Sequence, residues 1–137
     1  MPITYQIHNG GHVINAIASG NVTRKEFVEF EVAHATDECI RSPVSELFLI
    51  ESTSLKGITM SDMRMILERR EALDPPPIPH RCAIVVQLSD THSWNLAKFY
   101  EGMVMLHSPE SVIVFGDEKI ARIWLGIKPV APRIWFQ

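Results

Sequence analysis

Positive charge is in short supply in this chain. Thirteen Lys and Arg stand against sixteen Asp and Glu, a net charge of −3 at pH 7 over 137 residues. That balance provides no cationic field for a phosphate backbone, so nucleic acid is not an expected partner. Cysteine is scarcer still, with Cys39 and Cys82 alone. Both fall within apolar-periodic segments and read as free thiols packed as small hydrophobes, not as a disulfide frame. No apolar run approaches the ~20 residues of a membrane-spanning helix. The opening Met1-Pro-Ile-Thr-Tyr-Gln6 lacks a basic segment followed by an apolar stretch, so no secretory leader is expected and the protein reads as cytoplasmic. Internal repeats, low-complexity tracts and a domain linker are also missing. No Gly-x-Ser-x-Gly elbow occurs, and Gly10-Gly11 joins two strand-like runs instead of opening a helix as a phosphate-binding loop does. The expectation is a non-enzymatic protein with no cofactor.

What is present is the composition of one folded domain, 46% hydrophobic and 21% charged. Ile3 to His8 alternates apolar and polar residues, and His12 to Ser19 is again strand-like. The Asn9-Gly10 between them predicts an antiparallel hairpin, because both residues tolerate positive φ. Thr23-Arg-Lys-Glu26 has capping-box spacing and predicts a helix to about Cys39, with Val28, Val32, Ala35 and Cys39 on one stripe and Phe27 and Phe30 beside it. Leu47–Ile50, Ala83–Val86 and Val112–Phe115 are apolar at every position, the pattern of strands buried on both faces. Helical periods lie between and after them. One starts near Thr59 or Ser61, a second near Asp90, and a third runs from Asp117 to Leu125 with Ile120, Ala121 and Trp124 inward and Gly126 as its stop. Strand and helix alternate, which predicts an α/β fold: a mixed sheet of about five strands, an N-terminal hairpin and about four helices.

The carboxyl ends of parallel strands are where ligands gather. They carry Glu51-Ser-Thr-Ser54, Ser89-Asp-Thr-His92 and Gly116-Asp-Glu118, from which Ser52, Ser54, His92 and Asp117 emerge as candidate residues. Simple helix capping accounts for Asp90, Thr91 and Asp117 equally well. A hydrolytic triad with His92 as base lacks any supporting motif. His8 and His12 flank the hairpin turn, but no further ligand follows at metal-binding spacing, and both read as solvated strand-end residues. Met60, Met63 and Met65 read as core filling ahead of an adaptable pocket.

Residues 1–126 form the predicted domain, and 127–137 a tail rich in proline and aromatics. An exposed Ile134-Trp135-Phe136 end would favour association, so it is expected to pack on the domain or on a second subunit of a homodimer. The segment Pro75-Pro-Pro-Ile-Pro79 reads as a stiff polyproline II return from helix to strand.

The element order and several landmarks together resemble the SpoIIAA-like family, which shares its fold with STAS (sulfate transporter and anti-sigma factor antagonist) and CRAL-TRIO lipid-binding domains. The landmarks are the hairpin ending at Gly20, Thr23-Arg-Lys-Glu-Phe27, Leu47–Ile50, Ala83–Val86, Val112–Phe115 and Ala121-Arg-Ile-Trp-Leu125, together spanning about residues 3 to 126. The resemblance implies a βα superhelix with strands stacked mostly in chain order. It also implies a regulatory module working through protein–protein contacts. STAS antagonists carry a phosphorylatable serine in an Asp-Ser-Ser-Gly-like stretch after the strand equivalent to Leu47–Ile50. Ser52 and Ser54 match it in residue type and approximate place, although the stretch here reads Glu51-Ser-Thr-Ser-Leu-Lys-Gly57. By analogy with CRAL-TRIO domains, the alternative is a carrier of a small apolar or lipid-like ligand.

Overall fold

Asn9 and Gly10 both adopt positive φ, 53° and 66°, and turn the chain back on itself through a short 3-10 turn. This joins β1 (Ile3–His8) to β2 (Val13–Ala18) in the antiparallel register Ile3↔Ala18 to His8↔Val13. The computed structural model describes residues 2–73 and 80–127. The Pro75–Pro79 segment and the tail residues Ile134, Trp135 and Phe136 lie outside the described residues.

After the hairpin, the chain alternates α1 (Arg24–Thr36), β3 (Ser45–Ile50), α2 (Met60–Glu71), β4 (Arg81–Val86), α3 (Thr91–His107), β5 (Ser111–Phe115) and α4 (Glu118–Leu125). The sheet order is β1-β2-β3-β4-β5, and every pairing from β2 onward is parallel. The fold is therefore α/β, with a five-stranded mixed sheet and, among the described residues, four α-helices. Each crossover steps one strand in the same direction, so crossovers of one hand deliver α1, α2 and α3 to the same face. Phe48, Ile50, Ile84, Val86, Val112 and Val114 meet these helices there. After β5 the chain passes to the opposite face, where Ala121 and Leu125 of α4 cover Leu47, Leu49, Ala83 and Val85. Strands covered on both sides need apolar residues at every position, which explains the unbroken runs. Burying each such side chain contributes about 1.5–3 kcal/mol.

The helix starts follow local chemistry. Thr23 and Thr59 each close a capping box, with Glu26 and Asp62 respectively, and Asp90 and Asp117 cap α3 and α4. Gly126, at φ 73°, ends α4 in the left-handed conformation.

Four details differ from the sequence pattern. α1 ends at Thr36, because Asp37 turns extended and its Oδ1 accepts the Cys39 amide at 2.9 Å. Cys39 is consequently exposed, while Cys82 is buried. Phe27, Phe30 and Val28 of α1 pack on the core as expected, but Glu31 and His34 join them there, and Val32 is exposed. On α4, Ala121, Arg122 and Leu125 face inward, whereas Ile120 is 54% exposed. Of the methionines, Met63 enters the core and Met60 and Met65 stay exposed. No described helix is long and apolar enough to cross a membrane.

Candidate functional site

The three loops at the carboxyl edge of the sheet do come together. Thr53 N donates to Asp90 Oδ2 at 2.9 Å, and the Leu88 side chain lies against Gly116. Burial works against the charge on Asp90, but hydrogen bonds from Ser93 and Thr53 outweigh it and hold its carboxyl below the usual value. Thr53 sits at φ 66°, a conformation uncommon for a β-branched residue.

The side chains singled out there have structural partners or are covered. The His92 Nε2 faces the carbonyls of Leu55 and Ile58 at 3.1 and 2.8 Å, and so serves them as a donor. Asp117 accepts from the Lys119 amide at 2.7 Å. The Ser54 hydroxyl is fully buried, leaving half-buried Ser52 as the more accessible of the two serines. No hydrogen bond among the described residues links Ser52, Ser54, His92 and Asp117 into a nucleophilic constellation. At the hairpin, His12 Nδ1 donates toward the carbonyls of Arg41 and Pro43, at 2.9 and 3.0 Å, and does not pair with His8.

The concentrated polar chemistry lies at the other end of the sheet, under the helices. Parallel pairing aligns the amino ends of three strands: Glu46 is the second residue of β3, His80 immediately precedes β4, and Glu110 immediately precedes β5. α1 adds Glu31 and His34 one turn apart, α2 adds Arg70 from its last turn, and α3 adds Tyr100. Glu46 Oε1 receives His80 Nε2 at 2.8 Å and lies 3.0 Å from His34 Nε2. The second contact is out of line for a hydrogen bond, so His34 Nε2 is buried without one. His80 Nδ1 lies 3.7 Å from Glu110 Oε2. Arg70 donates to Glu110 and sets its Nε 3.4 Å from Glu31, whose other oxygen accepts from Tyr100 at 2.9 Å.

Six ionisable side chains, with Tyr100 beside them, thus form one cluster around a cavity of about 10 Å³, the room of a single water or ion. Isolated charges in such surroundings would be strongly disfavoured, and the mutual pairing is what permits them. Burial pushes Glu46 up, but His34 and His80 outweigh it and hold the carboxyl well below its usual range. Burial likewise disfavours the charged His34 ring, yet attraction to Glu46, aided by Glu31, raises it overall. At Glu31 burial prevails over Arg70 and His34, and the carboxyl is raised. Burial pushes the Cys82 thiol and Tyr100 phenol well above their ordinary values, so neither offers an ionised nucleophile near neutrality.

The arrangement can store protons or hold a cation. His34, Glu46 and His80 present three ligand atoms within 4.8 Å of one another. The sequence pattern did not single them out, since they come from three separate elements. The available signal was an ionisable residue at or just before the start of each buried strand: Glu46, His80 and Glu110.

The fold and the cluster define an α/β protein whose helix-covered sheet face carries a buried, mutually paired ionisable centre. No family model matches the sequence, and no curated protein or solved structure matches the chain.

Proposed function

We propose that this chain is a non-enzymatic, cytoplasmic binding or regulatory module of the SpoIIAA-like, STAS-like type, acting through protein–protein contacts. The observation that carries this reading is apolar exposure at the carboxyl edge. Leu88 is 69% exposed beside Gly116, and Ile120 and Ile123, one turn apart on α4, are 54% and 70% exposed. Apolar groups kept in water on neighbouring elements suit a partner surface better than a reaction centre. Ser52, on the adjoining loop, is where an added phosphate would alter that surface.

Carriage of an apolar ligand is less well supported. The apolar cavity among Phe27, Phe48, Leu55, Met63 and their neighbours measures about 20 Å³, against the ~300 Å³ or more of a small-molecule site. The depression of about 870 Å³ beside the hairpin is wide open and includes His8, Asp37 and Arg41.

The test is parallel affinity capture from the native cell with the wild type, an Ile120→Ser/Ile123→Ser variant and a Met105→Ser/Leu106→Ser control. A partner retained by the control and lost by the α4 variant is expected. An identical set of captured proteins in all three overturns the assignment. Light scattering on the full chain and on a chain ending at Gly126 tests homodimer formation through Ile134, Trp135 and Phe136. A monomer in both removes that part of the proposal.

A further inference from the structure

We propose that His34, Glu46 and His80 form a binding site for one divalent transition-metal ion, with Zn2+ the ion their two imidazoles and carboxylate fit best. Two imidazole nitrogens converge on a single carboxylate oxygen, at 3.0 and 2.8 Å. Ligand atoms around a tetrahedral Zn2+, each ~2.0–2.1 Å from the metal, sit about 3.3 Å apart. Lengthening these two contacts by a few tenths of an ångström would bring them to that spacing, with the two imidazole nitrogens already within 4.8 Å of each other. Imidazole ligands favour zinc and its transition-metal neighbours over Mg2+ and Ca2+, which prefer all-oxygen sites.

Three further observations point the same way. His34 Nε2 is buried 3.0 Å from Glu46 Oε1 without a well-aligned hydrogen bond, so it faces the cluster with its geometry unsatisfied. The outer ring nitrogen of His80 faces Glu110, and Arg70 holds Glu110 in turn, which is the outer-shell pattern that orients metal-bound histidines. The cluster is also rich in carboxylates, with Glu31, Glu46 and Glu110 gathered around the single guanidinium of Arg70. Zn2+ takes neutral imidazoles, so binding displaces any proton the ligands carry.

The three ligands come from α1, from β3 and from the residue preceding β4, so the ion would tie the first crossover helix to the centre of the sheet. His34, the most exposed of the three with 9% of its side chain accessible, marks the way in. This role is independent of the partner surface on α4.

The experiment uses untagged full-length protein stripped with a chelator, then titrated with Zn2+ by calorimetry in buffers of different ionisation enthalpy. One ion per chain with proton release is expected, and Tm should rise by roughly 10 °C at a free-ion concentration one hundred times Kd. His34→Gln and Glu46→Gln should each weaken binding at least tenfold, while His8→Ala and His107→Ala leave it unchanged. Co2+ substitution should give the intense visible absorption of a four-coordinate site. Should a cluster variant fail to fold, the wild type still decides: ring nitrogen resonances of His34 and His80 must shift with Zn2+. No binding at micromolar Zn2+, or shifts confined to the exposed histidines, overturns the site.

Discussion

Replacing Arg70 by methionine isolates the charge that holds the buried cluster together, because methionine keeps much of the apolar stem while removing the guanidinium. The side chains of Arg70, Glu31 and Glu110 are 7%, 7% and 2% exposed, so water cannot substitute for the lost partner. Breaking one buried ion pair from one side costs about 3–5 kcal/mol, and here two carboxylates lose the same cation. A loss near ~5 kcal/mol is expected, a large share of the ~5–15 kcal/mol that holds a typical domain together. Urea denaturation followed by circular dichroism at pH 7 measures it. At pH 5 the deficit should shrink. Burial already raises Glu31 in the wild type, and without Arg70 its protonated form is favoured further in the folded state, so lower pH restores stability. Adding Glu110→Gln to Arg70→Met should recover about 1–3 kcal/mol, the coupling common between groups in direct contact. A variant within about 1 kcal/mol of wild type at pH 7, or a deficit unchanged at pH 5, would refute the view that these groups are ionised and mutually dependent.

The wild type without metal should be most stable in weakly acidic solution. His34 is raised, so its contribution is complete below its ordinary 6.5 and is lost as pH climbs through the folded value. Glu46 is lowered, so its contribution is complete above its ordinary 4.5 and fades as pH falls toward its folded value. Glu31 acts in the opposite sense to Glu46, its raised carboxyl losing stability as pH rises through the folded value. Thermal melts from pH 5 to 9 should show a falling alkaline limb that His34→Gln flattens; an unchanged limb in that variant would remove His34 as its source. Gly11→Ala should destabilise by about 2 kcal/mol or more, since Gly11 has φ +100° and an added Cβ would meet the Cys39 carbonyl at 2.3 Å. Urea titration checks this, and a loss below about 0.5 kcal/mol would mean that the 37–41 segment yields freely.

Much of the architecture was legible because its signals are local. Thr23 with Glu26, Asp90, Asp117 and Gly126 mark helix ends through bonds made within a few residues. Asn9-Gly10 marks the hairpin through positive φ. The runs at Leu47, Ala83 and Val112 announce strands covered on both sides. The pattern misled where polar residues lie inside. On α1, Val32 is apolar at helical spacing yet exposed, whereas Glu31 and His34 share the inner face with Phe27, Phe30 and Val28. Arg70 and Tyr100 offset the burial of Glu31, and Glu46 offsets that of His34, none of them near in sequence.

The sequence by itself determined the elements, their caps and the apolar faces that make a layered α/β fold favourable. Tertiary structure alone decided where the ionisable groups meet. Parallel register puts Glu46, two residues further along than His80, at the same edge as His80 and Glu110, and crossovers to a common face lower α1, α2 and α3 over them. Caps are stabilised by neighbours along the chain and doubly covered strands are marked by their own apolar runs, whereas a buried charge is tolerable only beside its counter-charge. Here those charges arrive from five different segments between Glu31 and Glu110, and only the folded chain brings them within 4 Å of their partners.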